Sequence, residues 1–491
     1  MTGHMPDPAF RSAVDLVAAI RRRELGSREL LDHHLARVER LNPRINAVVT
    51  LDVERARRRA DAADRALARG DAVGPLHGLP MTIKDVMETA GLRTTSGAET
   101  YADHVPAADA TAVARLVAAG AVVFGKTNTP TLAMDCQTYN PVFGTTNNPW
   151  DTSRVPGGSS GGAAAALAAG LTPLELGTDI GGSIRNPAHY CGVYGHKPSF
   201  GIVPMQGYIP PPPGTLSDTD LNVIGPLARS ADDLALALDV LAGPPDDRAI
   251  AWRLALPGPR RTDLRDYKVA AWLDDPECPT DGEVGARLQA AVDALAAAGV
   301  RVDARARPGF GLREAYRDYY QLLCLATCGT LGDEAFASLT TFADGLPDDA
   351  DHLMARFSRA GTQRHRHWIA LNEARERYRT LWADFFRKHD ALLCPVTPVA
   401  AIPHDQNPNW AARTIRVNGA TRPYEDQLVW AGVVGMAYLP ATVAPVGRTA
   451  SGLPVGLQIV GPYLEDRTPI DLARRLADVI GGYEIPPGFE E

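Results

Sequence analysis

The sequence predicts an α/β protein, built as a single large domain with a mixed, mostly parallel central β-sheet covered by helices on both faces. From residue 76 onward, short apolar runs separated by glycine alternate with stretches of helical periodicity. This alternation is typical of parallel strands whose crossover helices cover the sheet. The expected strands lie at 79–83, 121–124 and 174–176, and the expected helices between them at 111–119 and 163–169.

The composition agrees with a globular protein and excludes several classes. The 491 residues are 45% hydrophobic and 22% charged, which is ordinary for a chain that buries a large core. A formal net charge of −8 argues against a nucleic-acid partner. No apolar run approaches the roughly 18 to 20 residues that cross a bilayer, and residues 1–23 lack a leader pattern. We therefore expect a cytoplasmic protein with no membrane partner.

Residues 1–69 are expected to form N-terminal helices. Apolar residues recur at helical spacing over 10–40, and Gly26-Ser27 interrupts them as the stop of one helix and the cap of the next. A third helix is expected over 53–69, where arginine, alanine and aspartate indicate a solvated face. Residues 76–230 follow as the core that holds the candidate catalytic residues.

The proline run Pro210 to Pro213 excludes regular structure from 208–214, because proline fixes the backbone and lacks an amide donor. This loop follows the serine-rich region closely, so it either borders the substrate mouth or acts as a rigid surface connector.

The remainder divides into 244–390, a largely helical excursion expected to border the substrate site, and 391–491, the C-terminal part of the core. Glycine and proline make 243–259 irregular. Strands are expected at 269–273, 300–302, 392–395 and 455–460, and helices at 232–241, 284–298 and 469–480, with 312–390 mostly helical.

The cysteines suggest neither a metal site nor a disulfide framework. Six are scattered along the chain, and only Cys324 and Cys328 lie one helical turn apart. No second cysteine or histidine pair completes a zinc set. We expect buried, reduced thiols, no metal and no cofactor.

Two serines in glycine-rich turns are the strongest chemical signal. Ser159 lies within Gly-Gly-Ser-Ser-Gly-Gly at 157–162, which also fits the G-x-S-x-G nucleophile elbow. The elbow needs a strand leading into it, whereas 147–156 has the composition of a turn. None of the twelve histidines lies in a comparable glycine-rich setting, which disfavours a Ser-His-Asp triad.

Ser183 follows Ile180-Gly181-Gly182, whose successive amides can point into one concavity. Such a concavity is either an oxyanion hole or a nest for a bound anion such as phosphate. Lys84 ends the apolar run at 78–83, where a low-dielectric setting would disfavour its charged form. A neutral lysine is a usable base, so the three residues together suggest acyl transfer.

Taken together, these motifs resemble the amidase signature family. The resemblance covers essentially the whole chain in the family's order. Its motifs are Gly78-Leu79-Pro80 with Lys84-Asp85, 125–128, 157–162, 177–187, Cys191-Gly192, 195–198, 394–398 and 452–458. His196 is a departure, since many members carry an apolar residue there; a structural role is expected for it.

The resemblance implies a Ser-cisSer-Lys triad. Ser183 would be the nucleophile, Ser159 a bridging serine after a cis peptide bond with Gly158, and Lys84 the neutral base. The oxyanion donors would be the amides of Ile180, Gly181, Gly182 and Ser183. Ser160, Asp179 and Arg185 would support the turn, and Gly158 would contact substrate with the pocket floor, formed by Leu132, Ala133, Met134 and Asp135.

That pocket floor suggests an apolar or aryl group in the substrate. We therefore expect a cofactor-independent hydrolase that splits the carbon–nitrogen bond of a small-molecule amide through a serine acyl-enzyme. The identity of the substrate remains open among an arylamide, an aliphatic amide, a nylon-like oligomer, a carbamate (urethane) and an ester. The family resemblance suggests a homodimer. The alternatives are an amidotransferase-type subunit that supplies ammonia to a partner enzyme, and a non-catalytic anion-binding protein.

Overall fold

The computed structural model describes residues 7–490, and an eleven-stranded mixed β-sheet runs through them. The helices are α1 (Ala13–Arg21), α2 (Ser27–Ile45), α3 (Val53–Arg69), α4 (Thr111–Ala118), α5 (Gly161–Ala168), α6 (Arg185–Cys191), α7 (Ala231–Leu241), α8 (Asp246–Ala249), α9 (Gly282–Ala297), α10 (Leu312–Cys328), α11 (Asp333–Asp344), α12 (Leu353–Gly361), α13 (His365–Phe386), α14 (Val429–Met436) and α15 (Arg467–Ile480).

The strands are β1 (Val48–Leu51), β2 (Pro80–Lys84), β3 (Val122–Thr127), β4 (Tyr139–Asn140), β5 (Gly144–Thr145), β6 (Leu174–Asp179), β7 (Tyr194–Lys197), β8 (Val223–Ala228), β9 (Lys268–Ala271), β10 (Arg301–Asp303), β11 (Ala391–Pro395), β12 (Thr414–Val417), β13 (Ala420–Pro423), β14 (Ala441–Arg448) and β15 (Pro454–Val460). The main sheet has the order β1-β3-β2-β6-β8-β7-β14-β15-β11-β9-β10. The segment 244–390 contributes β9 and β10 to this sheet before α10 to α13 begin.

Parallel pairing occurs where the alternating pattern predicts it. Strand β2 pairs in parallel with β3 and β6, and β9 pairs in parallel with β10 and β11. The middle of the sheet, from β6 through β8, β7, β14 and β15 to β11, is antiparallel, as is the pair β1–β3. The mixed sheet is therefore confirmed, with its parallel pairing in these two groups of strands. In the antiparallel part, β14 and β15 are joined by a short turn, which antiparallel neighbours allow.

Three of the strands absent from the sequence prediction, β7, β8 and β14, have weak local signals. β7 has only four residues, and β8 and β14 are interrupted by Gly225-Pro226 and by Pro445. The predicted N-terminal helices are present. The N-cap of α2 is Gly26 and not the expected Ser27, whose hydroxyl instead donates a hydrogen bond to the Gly78 carbonyl, at 2.7 Å.

Helices pack on both faces of the sheet because its strands alternate their side chains. Val122 and Phe124 of β3 join the apolar cluster of α2, α3, α5 and α6, whereas Val123 joins the cluster of α4, α7, α9 and α15. A third cluster of Tyr319, Trp382 and Trp430 packs α10, α13 and α14 together. Among residues 7–490, no helix combines the length and apolarity needed to cross a bilayer.

Candidate active site

Lys84 lies at the end of β2, fully buried, with its ammonium group between two hydroxyls. Nζ is 2.6 Å from Oγ of Ser159 and 2.8 Å from Oγ1 of Thr178. Thr178 is on β6, which pairs in parallel with β2, so the sheet itself brings lysine and threonine together. Thr178 was not among the predicted site residues.

Burial changes the protonation of this lysine. Loss of solvation lowers the pKa of Lys84 to about 7, although the nearby Asp179 and Glu175 carboxyl groups act to raise it. Burial also raises the pKa of Glu175, to about 8, which weakens its charge beside the lysine near neutral pH. A large fraction of Lys84 is therefore uncharged near neutrality and can accept a proton.

Ser159 is held in a tight turn against its neighbours. The peptide bond between Gly158 and Ser159 is cis, as the family resemblance implies, and Ser159 is buried. A side chain on Gly158 would collide with the carbonyl of Asp135. The Ser160 amide donates to the Ser183 carbonyl at 3.0 Å, which joins the two serine-bearing turns.

Asp179 organises the turn that carries Ser183. Its carboxylate accepts hydrogen bonds from the amides of Gly182 at 2.8 Å and Ile184 at 3.1 Å, and pairs with Arg185 at 2.8 Å. Both charged side chains are fully buried. Although burial opposes ionisation, the charge and hydrogen bonds of Arg185 hold the pKa of Asp179 at about 2. These contacts tie both side chains to the turn that carries Ser183.

The sequence predicts the Gly182 amide as an oxyanion donor, but in the structure this amide has another acceptor. Because it already donates to Asp179, it is not available to a ligand. The amides of Ile180, Gly181 and Ser183 have no acceptor within residues 7–490. Three of the four predicted oxyanion donors therefore remain unengaged, and the fourth stabilises the turn.

Ser183 is partly exposed and lines a cavity of about 220 Å³. Gly158, Ile180 and Gly181 line the same cavity, and Tyr208 and Pro210 bring the proline-rich loop to its wall. The predicted floor residues also line it. Most of the side chains that line the cavity are apolar or aromatic: Leu132, Ala133, Met134, Cys136, Tyr320, Leu323, Cys324, Leu331, Leu353, Phe357, Trp410, Tyr424 and Leu428.

Asp135 is the exception to the apolar floor that we expected. Its carboxylate accepts hydrogen bonds from Arg413 at 2.6 Å and from the Tyr424 hydroxyl at 2.7 Å. Arg413 also donates to the Tyr139 hydroxyl at 2.7 Å and is itself buried. The carboxylate is thus part of an internal network that ties β12 and the segment before it to the cavity wall. Arg413 and Tyr424 were missed because each is far in sequence from its partner.

An open apolar groove beside α11 and α12 adjoins the cavity. Met134, Leu331 and Phe357 line both spaces, and Leu339 and Phe342 extend the groove along α11. None of the residues of α11 is buried. The groove is therefore separated from the cavity that Ser183 lines by no more than these shared side chains.

His196, Cys324 and Cys328 are all buried in the fold. Both ring nitrogens of the buried His196 have partners: Oγ1 of Thr442 at 2.9 Å and Oδ1 of Asp466 at 3.2 Å. Cys324 and Cys328 are buried and unbridged, and burial raises the pKa of both thiols. In the described part of the chain, no cluster of three or more His, Cys, Asp or Glu side chains could hold a metal ion.

Residues 29–469 match the family described as Amidase. Among curated relatives, the A subunit of the glutamyl-tRNA(Gln) amidotransferase of Roseiflexus sp. (strain RS-1) is 34% identical over 501 aligned positions, which cover 94% of this chain and 96% of the relative.

Two solved structures extend the comparison. A 6-aminohexanoate cyclic dimer hydrolase complexed with substrate is 27% identical, with a TM-score of 0.79 over 98% of this chain and 100% of that one. A bacterial aryl acylamidase has a TM-score of 0.82 over 98% of this chain and 99% of that one. Its identity of 24% makes it similar in fold alone.

Proposed function

This chain belongs to the amidase signature family of enzymes acting on carbon–nitrogen amide bonds, and we propose that it hydrolyses an apolar amide through a serine acyl-enzyme. The observation that carries this proposal is the buried contact of 2.6 Å between Nζ of Lys84 and Oγ of Ser159, beside the cavity that Ser183 lines. A neutral lysine, a relay hydroxyl and an accessible serine are the parts that nucleophilic catalysis needs.

In the first step, neutral Lys84 accepts the proton of Ser159, and Ser159 accepts the proton of Ser183 as its Oγ attacks the substrate carbonyl. The lowered pKa of Lys84 supports its role as base. Thr178, which accepts a hydrogen bond from the same Nζ, orients the lysine toward the relay.

Attack converts the carbonyl oxygen to an oxyanion, for which the amides of Ile180, Gly181 and Ser183 are the proposed donors. Their lack of any acceptor within the described residues supports this role. Gly182 is left out because its amide is engaged by Asp179.

Collapse of the tetrahedral intermediate breaks the carbon–nitrogen bond. Protonated Lys84 returns its proton through Ser159 to the leaving amine, and the acyl group stays on Ser183. A water molecule then attacks the ester, losing its proton along the same route, and releases the acid.

The apolar walls support an amide with an aryl or extended alkyl portion. No lysine or arginine is among the described residues that line the cavity, and its two carboxylates, Asp135 and Glu425, are paired with Arg413 and Arg356. The groove beside α11 provides room for a substrate longer than the cavity itself. Anilides and alkyl-chain amides or oligomers fit this surface better than small polar amides.

The second candidate is an amidotransferase-type subunit that releases ammonia from an amide for a partner enzyme. The curated relative from Roseiflexus, with 34% identity along nearly the full length of both chains, favours it. The two candidates share the acyl-enzyme and differ in the substrate. Free glutamine would be the preferred donor in the second case, and its hydrolysis would be accelerated by partner subunits.

The test compares hydrolysis of a chromogenic anilide, an alkyl amide and glutamine by the native chain and by Ser183→Ala. Ser451→Ala, at an exposed serine, is the matched control. We expect the anilide or alkyl amide to be the best substrate, with activity lost only in Ser183→Ala. Unchanged activity in Ser183→Ala would refute the mechanism, and a preference for glutamine would select the second candidate.

A further inference from the structure

The geometry points to Tyr319 as a positioning residue that fixes the Gly181 amide as an oxyanion donor, an inference that rests on the proposed function. Tyr319 lies on α10, fully buried, and its hydroxyl donates to the Ile180 carbonyl at 3.1 Å. It is distant in sequence from the serine-bearing turns.

The carbonyl of Ile180 and the amide of Gly181 belong to one peptide unit. In a planar trans peptide, the carbonyl and the N–H point in opposite directions. A hydrogen bond that holds the carbonyl toward Tyr319 therefore directs the Gly181 N–H away from it. On that side the N–H has no acceptor within residues 7–490, and Gly181 lines the cavity with Ser183.

Two glycines allow Tyr319 to approach this closely. A Cβ on Gly181 would lie 2.6 Å from the Tyr319 hydroxyl oxygen, and a Cβ on Gly432 would collide with the ring. The ring is thus enclosed between the turn and α14. Burial also raises the pKa of the Tyr319 phenol, so the hydroxyl remains a neutral donor across the working pH range.

The same helix forms part of the cavity wall. Tyr320, Leu323 and Cys324 of α10 line the cavity, whereas Tyr319 faces the turn behind it. One helix therefore both contacts the bound substrate and holds the peptide that stabilises the oxyanion. Without the hydroxyl, the Ile180–Gly181 peptide can rotate, which weakens stabilisation of the transition state more than binding of the ground state.

The test uses Tyr319→Phe, which keeps the ring and removes one hydroxyl. Tyr378→Phe is the matched control. Tyr378 lies on α13, and its hydroxyl donates to Asp318 of α10, at 3.0 Å, instead of to the turn. We expect kcat for an anilide to fall about 10-fold in Tyr319→Phe with little change in KM, less than the roughly 10²–10³-fold loss on removing an oxyanion donor. Tyr378→Phe should retain native kcat.

A second measurement separates this inference from the proposed function. The rate at which a fluorophosphonate labels Ser183 should fall in Tyr319→Phe and not in Tyr378→Phe. Native kcat and labelling rate in Tyr319→Phe, or equal losses in the two variants, would overturn the role of Tyr319 alone. Failure of the native chain to be labelled at Ser183 would overturn the proposed function and this role with it.

Discussion

The activity of the native chain should fall about tenfold when the pH is lowered from 8 to 6. Only the neutral form of Lys84 can accept the proton of Ser159, and burial places the pKa of Lys84 at about 7. About nine-tenths of the lysine is then neutral at pH 8 and about one-tenth at pH 6. The rate therefore rises with pH and levels off above the pKa, the direction expected for a base that must be deprotonated.

The measurement is kcat/KM for a chromogenic amide across this range, for the native chain, Lys84→Ala and Lys126→Ala. Lys126 is a matched control because it is also fully buried, with a pKa lowered by burial to about 8, and its ammonium group contacts Thr89 at 2.7 Å instead of a serine. Lys84→Ala should lose roughly 10²–10⁴-fold in rate and show no rise with pH. Lys126→Ala should keep the native midpoint.

A rise through pH 7 that survives in Lys84→Ala, or that disappears only in Lys126→Ala, would refute the assignment of the base. Folding of each variant is checked by circular dichroism, so that a lost rate is not mistaken for a lost fold.

Three further outcomes are expected. Asp179→Ala should lower the free energy of unfolding in urea by about 3–5 kcal/mol, because it leaves a guanidinium buried without its partner, whereas Arg265→Ala at an exposed pair should leave the midpoint unchanged. Arg413→Met should destabilise the fold to a similar degree, about 3–5 kcal/mol, by leaving the buried Asp135 carboxylate without its cationic partner; unchanged stability would contradict this. Phe342→Ala, at a side chain that lines the groove and not the cavity, should lower kcat/KM for a long alkyl amide about 10-fold and change a small amide little; equal losses would remove the groove from substrate binding.

The sequence predicts the local parts of this site better than the distant ones. Ser159, Ser183 and Lys84 carry local signals, since glycine permits the turns and an apolar run predicts the strand that buries the lysine. The engagement of Gly182 by Asp179 could not be read from spacing, because it depends on the side-chain conformation within the turn.

Contacts across the fold could not be predicted either. Tyr319, Arg413 and Tyr424 each meet partners more than a hundred residues away, and none lies in a distinctive motif. The same limit applies to the sheet. The alternating pattern predicts β2, β3 and β6, but β8 carries Gly225-Pro226 and pairs through long-range contacts that no local period reveals.

The residues of helix α11 can be replaced with little effect on the packing of the fold. Since none of its residues is buried, replacements on it remove little packing from the core. Yet Leu339 and Phe342 line the groove that adjoins the cavity. Under the proposed function, this helix can therefore change with the substrate at small risk to folding, and a directed library confined to Asp333–Asp344 is a practical route to altered specificity.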